Sequence, residues 1–244
     1  MKHIYAVSDR KQLDDLQAFV LSIEPRFSDY LAYLKEAFQV SDLPRCILWT
    51  DLETATQLIS DIPLPAYTND YRTVICPDLS VWREIYLRQL DHAEIPAVRN
   101  YYTNQLTRNH VLQILGHEFV HHSELFLDGF DSNYESGIWF EEGMCEYISR
   151  KFFLTEEEFR EEAKINALLA EQFRSKYGNH SLEDFGRETY QNDYACIFFE
   201  YWRSFLAVQQ IIRNHNGDIS AAFRSYHRWH SEKSSLTLEQ WFGL

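Results

Sequence analysis

No run of about 18 or more apolar residues occurs in the 244-residue chain, so no segment is expected to span a membrane as a helix. Cysteine is sparse: Cys46, Cys76, Cys145 and Cys196 are scattered, with no C-x-x-C pair, and are expected as free thiols in a reducing compartment. Glycine and proline number only 8 and 6, which favours long regular elements over a turn-rich sandwich. Positive charge is also short. The formal net charge of −14, with no Lys/Arg run, argues against a nucleic-acid backbone or an anionic membrane as partner. The first twenty residues hold no apolar stretch ending in a cleavage site, so the expected location is the cytoplasm.

What is present suffices for a packed core. Hydrophobic residues make up 45% of the chain and aromatic residues 16%, and the length suits one domain over residues 1–244. Residues 3–8 read as a short strand. Apolar residues at helical spacing from Lys11 to Phe38 suggest one or two helices, with Pro25 as the break. Residues 45–51 and 72–78 are apolar, β-branched runs bounded by Pro and Asp and read as strands, with 61–71 a loop between them. Beyond Asp78 the period is helical: segments 80–92, 103–127, 138–153, 156–177, 188–214 and 218–230 fit it, and Thr155 with Glu158 forms a capping box. The expected fold is therefore α+β, with a strand-containing lobe in 1–100 and a helical lobe in 101–244. The acidic run at 155–164 reads as a solvated helix face.

The chemistry concentrates in "ILGHEFVHHSELF", residues 114–126, where His117, Glu118 and His121 spell H-E-x-x-H. On a helix His117 and His121 project from one face, a turn apart, and two imidazoles so placed grip one Zn²⁺. Glu118 beside them is the candidate general base for a metal-activated water. Twenty residues on, "SGIWFEEGMCEYISRKF" offers Glu142 as third ligand and, one turn later, Glu146 to orient a ligating histidine. Gly143 leaves room for close helix packing. Two histidines and a carboxylate also suit Fe(II) or Mn(II).

"HEFVH" followed by "WFEEGMCEY" resembles the gluzincin metallopeptidases, in which H-E-x-x-H and a later Glu bind zinc. Trp139, Phe140, Glu142, Gly143 and Tyr147 match the W-[LF]-x-E-G-x-x-x-Y element of the M1 aminopeptidases and the wider peptidase MA-like domains, over about residues 103–230. The resemblance implies a zincin-like fold with an active-site cleft between the two lobes, and zinc-dependent hydrolysis of peptide or related amide bonds in a peptide or protein substrate. "ETYQNDYACIFFEYW" is similar to the helix whose tyrosine hydrogen-bonds the oxyanion in those enzymes, a role that falls on Tyr190, with Tyr194 as substitute. The G-x-M-E-N exopeptidase motif is absent and Glu141 stands where an Asn usually precedes the ligand Glu, so an aminopeptidase assignment does not follow.

Other readings compete. Cys76 upstream of H-E-x-x-H resembles the peptide deformylase arrangement, but the flanking E-G-C-[LV]-S and G-x-G-x-A-A-x-Q elements are missing. His122 points about 100° from His121 and is expected to be structural or exposed. Glu124 and Glu135 receive no role, and His215, His227 and His230 are expected to be exposed or packed. A metal-binding or inactive protein that recruits a partner is the alternative function, disfavoured by the intact Glu118. If 72–76 formed the sheet edge beside the cleft, an extended substrate would add to it as a strand.

Overall fold

The computed structural model describes residues 1–60, 63–90, 95–127, 129–130 and 137–244, except the Arg187 side chain. Glu135, the start of the expected 61–71 loop and the end of the expected 80–92 helix lie outside the described residues.

Four strands form one sheet in the order β1-β2-β4-β3: β1 (Lys2–Ala6), β2 (Cys46–Thr50), β3 (Ala66–Thr68) and β4 (Arg72–Ile75). β1, β2 and β4 are parallel, whereas β3 pairs antiparallel with β4, Tyr67 opposite Val74. Two sequence expectations are corrected here. Residues 66–68 are strand rather than loop: the hairpin turn is closed by Asn69, whose side chain accepts from the Tyr71 and Arg72 amides. The strand at 72–75 is interior, so the free edge on that side belongs to β3.

α1 (Arg10–Phe38) runs unbroken through Pro25, against the expected break. Val20, Ile23, Phe27, Tyr30, Leu34 and Phe38 form a buried stripe on both sides of the proline, and Pro25 itself faces solvent. Water can satisfy the carbonyl that Pro25 leaves without a donor, at exposed Leu21, and packing of the stripe outweighs the proline's cost of about 3 kcal/mol. α2 (Leu79–Arg88) and α3 (Pro96–Asn104) lead to α4 (Arg108–Val120). The continuous pattern at 103–127 thus divides between α3 and α4, because Thr107 caps a new helix by accepting from the Asn109 amide.

α4 is buried on every side from His110 to Val120, and it lies against β3, β4 and α1. It is followed by α5 (Ile138–Phe153) and α6 (Glu156–Tyr177). The capping box expected at Thr155 and Glu158 opens α6. The segment 188–214 is two elements, a 3-10 turn (Arg187–Gln191) and α7 (Tyr194–Asn214), separated by the N-cap Asp193. α8 (Ile219–Ser231) and α9 (Leu238–Phe242) complete the chain. One continuous hydrophobic core joins sheet and helices. The architecture is mixed α and β, with the small sheet N-terminal and helices filling the C-terminal part. Among the described residues no helix is long and apolar enough to cross a membrane.

Two glycines bring α4 and α5 close to their neighbours. A Cβ on Gly116 would stand 2.6 Å from the Phe153 ring, and one on Gly143 would stand 2.5 Å from the Ser204 carbonyl oxygen of α7. The Tyr30 hydroxyl uses the first approach to donate to the Gly116 carbonyl at 3.0 Å.

Candidate metal centre

α4 and α5 pack side by side, and their facing residues meet in one buried cluster. α4 ends at Val120, but His121 keeps helical backbone angles, so His117 and His121 remain one turn apart on one face. Their Nε2 atoms are 3.2 Å apart. Glu142 Oε2 lies 3.0 Å from His117 Nε2 and 3.6 Å from His121 Nε2. A tetrahedral zinc with bonds of about 2.0–2.1 Å separates its ligand atoms by about 3.4 Å. The observed triangle of 3.0, 3.2 and 3.6 Å fits that requirement. The partly negative C-terminal end of α4 here faces the partly positive N-terminal end of α5, favouring a cation at the first and carboxylates at the second.

The outer nitrogens are also engaged. His121 Nδ1 is 2.7 Å from Glu141 Oε1, and His117 Nδ1 is 3.0 Å from Glu146 Oε1. The second contact is close in distance although not aligned as a hydrogen bond. Carboxylates on both Nδ1 atoms turn both Nε2 lone pairs inward. The bracing expected of Glu146 is matched by Glu141, adjacent to the ligand, for which the spacing predicts no role.

Charge is unbalanced. Glu118, Glu142, Glu146 and Glu162 are buried or nearly so beside a single guanidinium, Arg150. If all four were ionised and the imidazoles neutral, one guanidinium would leave three negative charges uncompensated. Such a surplus draws in protons or a cation. Burial opposes the charged form of His117, yet Glu142 and Glu146 override it and hold its pKa up at about 9. His121 is also raised against burial, by Cys145, Glu142 and Glu141. Burial opposes the charged form of Glu142, yet His121 and His117 hold its carboxyl well below the usual range. For Glu118, burial prevails over the two histidines and lifts its pKa to about 7.

Cys145, one of the four scattered cysteines expected as free thiols, stands beside His121 within the cluster. One ligand atom each from His117, His121 and Cys145 fall within 4.8 Å of one another. Glu142 fits an ion better, because its triangle is tighter and its carboxyl is ionised while burial pushes the Cys145 thiol up. Spacing could have drawn attention to Cys145, since it follows Glu142 by one turn.

The tyrosines divide differently from expectation. Tyr190 is in the centre, but its hydroxyl donates to Glu142 Oε1 at 2.8 Å. Tyr194 is not brought to the site. Its hydroxyl donates to the Pro63 carbonyl at 2.9 Å, because the first turn of α7 faces the loop before β3. Tyr201, two turns along α7 from Tyr194, is the residue that sequence reasoning missed. Its ring packs on His117 with centroids 5.9 Å apart, and its oxygen is 2.9 Å from that of Tyr190. Tyr190 has one hydroxyl proton and directs it at Glu142, so Tyr201 is the donor between them.

His117, Glu118, Tyr201, Leu64, Trp82 and Phe198 line a cavity of about 60 Å³, together with Arg150 and Glu162. The remaining motif residues pack: Trp139 and Phe140 are fully buried, and Phe140 stacks on Tyr226. His122 is structural, with Nε2 2.9 Å from Thr68 Oγ1 of β3, and burial with nearby His121 lowers its pKa to about 4. His215 and His227 hydrogen-bond the Ile211 and Leu125 carbonyls, His230 is exposed, and Glu124 pairs with Ser41. Cys76 lies at the carboxyl end of β4, outside the histidine cluster. No known family, curated protein or solved structure matches the chain.

Proposed function

We propose that the chain is a zincin-like, zinc-dependent hydrolase of the gluzincin type that cleaves peptide or related amide bonds, with His117, His121 and Glu142 as the metal ligands. The observation that carries this reading is the convergence of two imidazole nitrogens and one carboxylate oxygen within 3.6 Å of one another, beside an H-E-x-x-H glutamate. Bound there, zinc supplies Lewis acidity, polarising a carbonyl and making a water acidic near neutral pH.

The residues divide the remaining work. Glu118 accepts the proton of the attacking water and returns it to the amine nitrogen as the C–N bond breaks. Glu141 and Glu146 hold the imidazoles in register. Tyr190 occupies Glu142 Oε1 and leaves Oε2 for the ion. The oxyanion task passes from Tyr190 to Tyr201, because only Tyr201 holds a proton that can leave a neutral partner for a developing negative charge. The cavity beside Glu118 has room for about four to six water-sized groups next to the scissile bond. An extended substrate in the cleft adds to the free edge of β3.

The test is metal content by mass spectrometry together with hydrolysis of a peptide library, on the wild type and on Glu118→Gln. One zinc per chain in both proteins, with cleavage only in the wild type, is the expected result. Equal cleavage by Glu118→Gln refutes the general-base role. Zinc without cleavage of any peptide turns the reading to a partner-binding protein.

A further inference from the structure

Behind the histidines stands Arg150, the one buried cation among the described residues, a turn after Glu146 on α5. Its guanidinium is gripped from four helices. Nη2 pairs with Glu146 Oε2 on α5 and lies 3.7 Å from Glu162 Oε1 on α6. Nε donates to Gln113 Oε1 on α4 at 3.2 Å, and Nη1 donates to Asn166 Oδ1 on α6 at 3.3 Å. The Phe205 ring of α7 covers the guanidinium face, 4.1 Å from ring centroid to Cζ. A planar fork held along its edges and on one face has little freedom to follow a partner, so Glu146 must come to it. With Oε2 on Arg150, Glu146 has only Oε1 left to face His117 Nδ1, at 3.0 Å.

The chain of contacts continues away from the histidines. Tyr101 of α3 donates to Glu162 Oε2, and its oxygen is 2.9 Å from His110 Nε2. His110 Nδ1 accepts from the Thr107 amide, at the N-cap of α4. The network therefore leaves α4 at His117, crosses α5, α6 and α3, and returns to α4 at His110, two turns upstream on the same face. A pair that only tied two helices together needs one carboxylate. This one has a second, Glu162, anchored from behind.

We propose that Arg150 is a positioning residue for the metal centre: it fixes Glu146, and through Glu146 the ring of His117, with Glu162 and Tyr101 as its anchor. This inference rests on the metal reading above. Partners one step beyond the ligands commonly change metal affinity by about 10–100-fold.

Co²⁺ is the probe, its affinity measured by competition with a chromophoric chelator and its site read from the visible spectrum, on the wild type, Arg150→Lys and Arg150→Met/Glu162→Gln. Thermal melting of the metal-free proteins reports the fold. The double variant removes one charge of each sign but leaves Glu146, Gln113 and Asn166 without their partner, so its metal-free melt should stay cooperative at a lower temperature while Co²⁺ binds about 10-fold or more weakly with altered bands. Arg150→Lys keeps the charge but loses the fork, and an affinity reduced at least about threefold is expected. If the double variant fails to fold, Arg150→Lys decides by itself. Wild-type affinity and spectrum in whichever variant folds overturn the proposal. A wild type that takes up no Co²⁺ overturns the metal reading and the inference together.

Discussion

Glu142→Gln is the sharpest perturbation of the proposed centre. The amide keeps the shape of the side chain and an oxygen able to accept from the Tyr190 hydroxyl, so packing and that hydrogen bond survive. What disappears is the anionic oxygen 3.0 Å from His117 Nε2 and 3.6 Å from His121 Nε2. Structural zinc sites with four ligands bind with about 10–16 kcal/mol, or about 2.5–4 kcal/mol per ligand, which is about 70- to 900-fold in Kd. With free zinc at about 100 times the wild-type Kd, the wild type gains about 2.7 kcal/mol. For a chain of this length that raises the melting temperature by about 5–11 °C. At the same zinc concentration the variant is near or below its own Kd and gains about 2 °C or less. Differential scanning calorimetry with and without zinc, each protein against its own metal-free melt, reads the difference directly. Equal zinc-induced shifts in the two proteins refute Glu142 as a ligand.

Other perturbations separate neighbouring roles. Tyr201→Phe should lower kcat by about 10²–10³ with zinc affinity unchanged, whereas Tyr190→Phe should weaken zinc binding through loss of a charged hydrogen bond worth about 1.5–3 kcal/mol. Steady-state kinetics beside metal titration distinguish the two, and a full-activity Tyr201→Phe removes the oxyanion assignment. Gly143→Ala places a methyl against the Ser204 carbonyl and should cost about 3 kcal/mol or more, a fall of about 6–12 °C in melting temperature. An unchanged melt shows that α5 and α7 separate more easily than their packing implies. Burial pushes the Cys76 thiol up to about 12, so at pH 8 its neutral form dominates and native protein should resist iodoacetamide there. Peptide mapping that finds Cys76 alkylated as fast as in the denatured chain contradicts that burial.

The candidate site was legible in proportion to how local its geometry is. His117 and His121 share a helical face because they are four residues apart, and Glu142 and Glu146 repeat the spacing on the next helix, whatever surrounds them. Gly143 could likewise be read as a contact point, since a missing side chain matters only where another backbone comes near. The capping box at Thr155 is equally local. Where the sequence misleads, the deciding contact comes from another element of the fold. Pro25 should end a helix by propensity, but a buried stripe on both sides of it packs on one core and carries α1 through. β3 is three residues between Pro65 and Asn69, too short for an alternation to show, and it exists because β4 offers it partners.

Tyr194 and Tyr201 lie on the same face of α7, so no periodicity could choose between them. The choice fell to the position of α7 along α5, which sets Tyr201 against His117 and Tyr194 against Pro63. Arg150 and Cys145 stayed hidden for the same reason: a cation and a thiol on a helix acquire meaning only when Glu162 and His121 arrive from other elements. Which side chains share a face within a helix follows from residue order, because helical backbone geometry allows one arrangement. Which faces meet depends on how separate elements pack, as Tyr201 of α7 against His117 of α4 shows, and residue order within one helix carries no information about that.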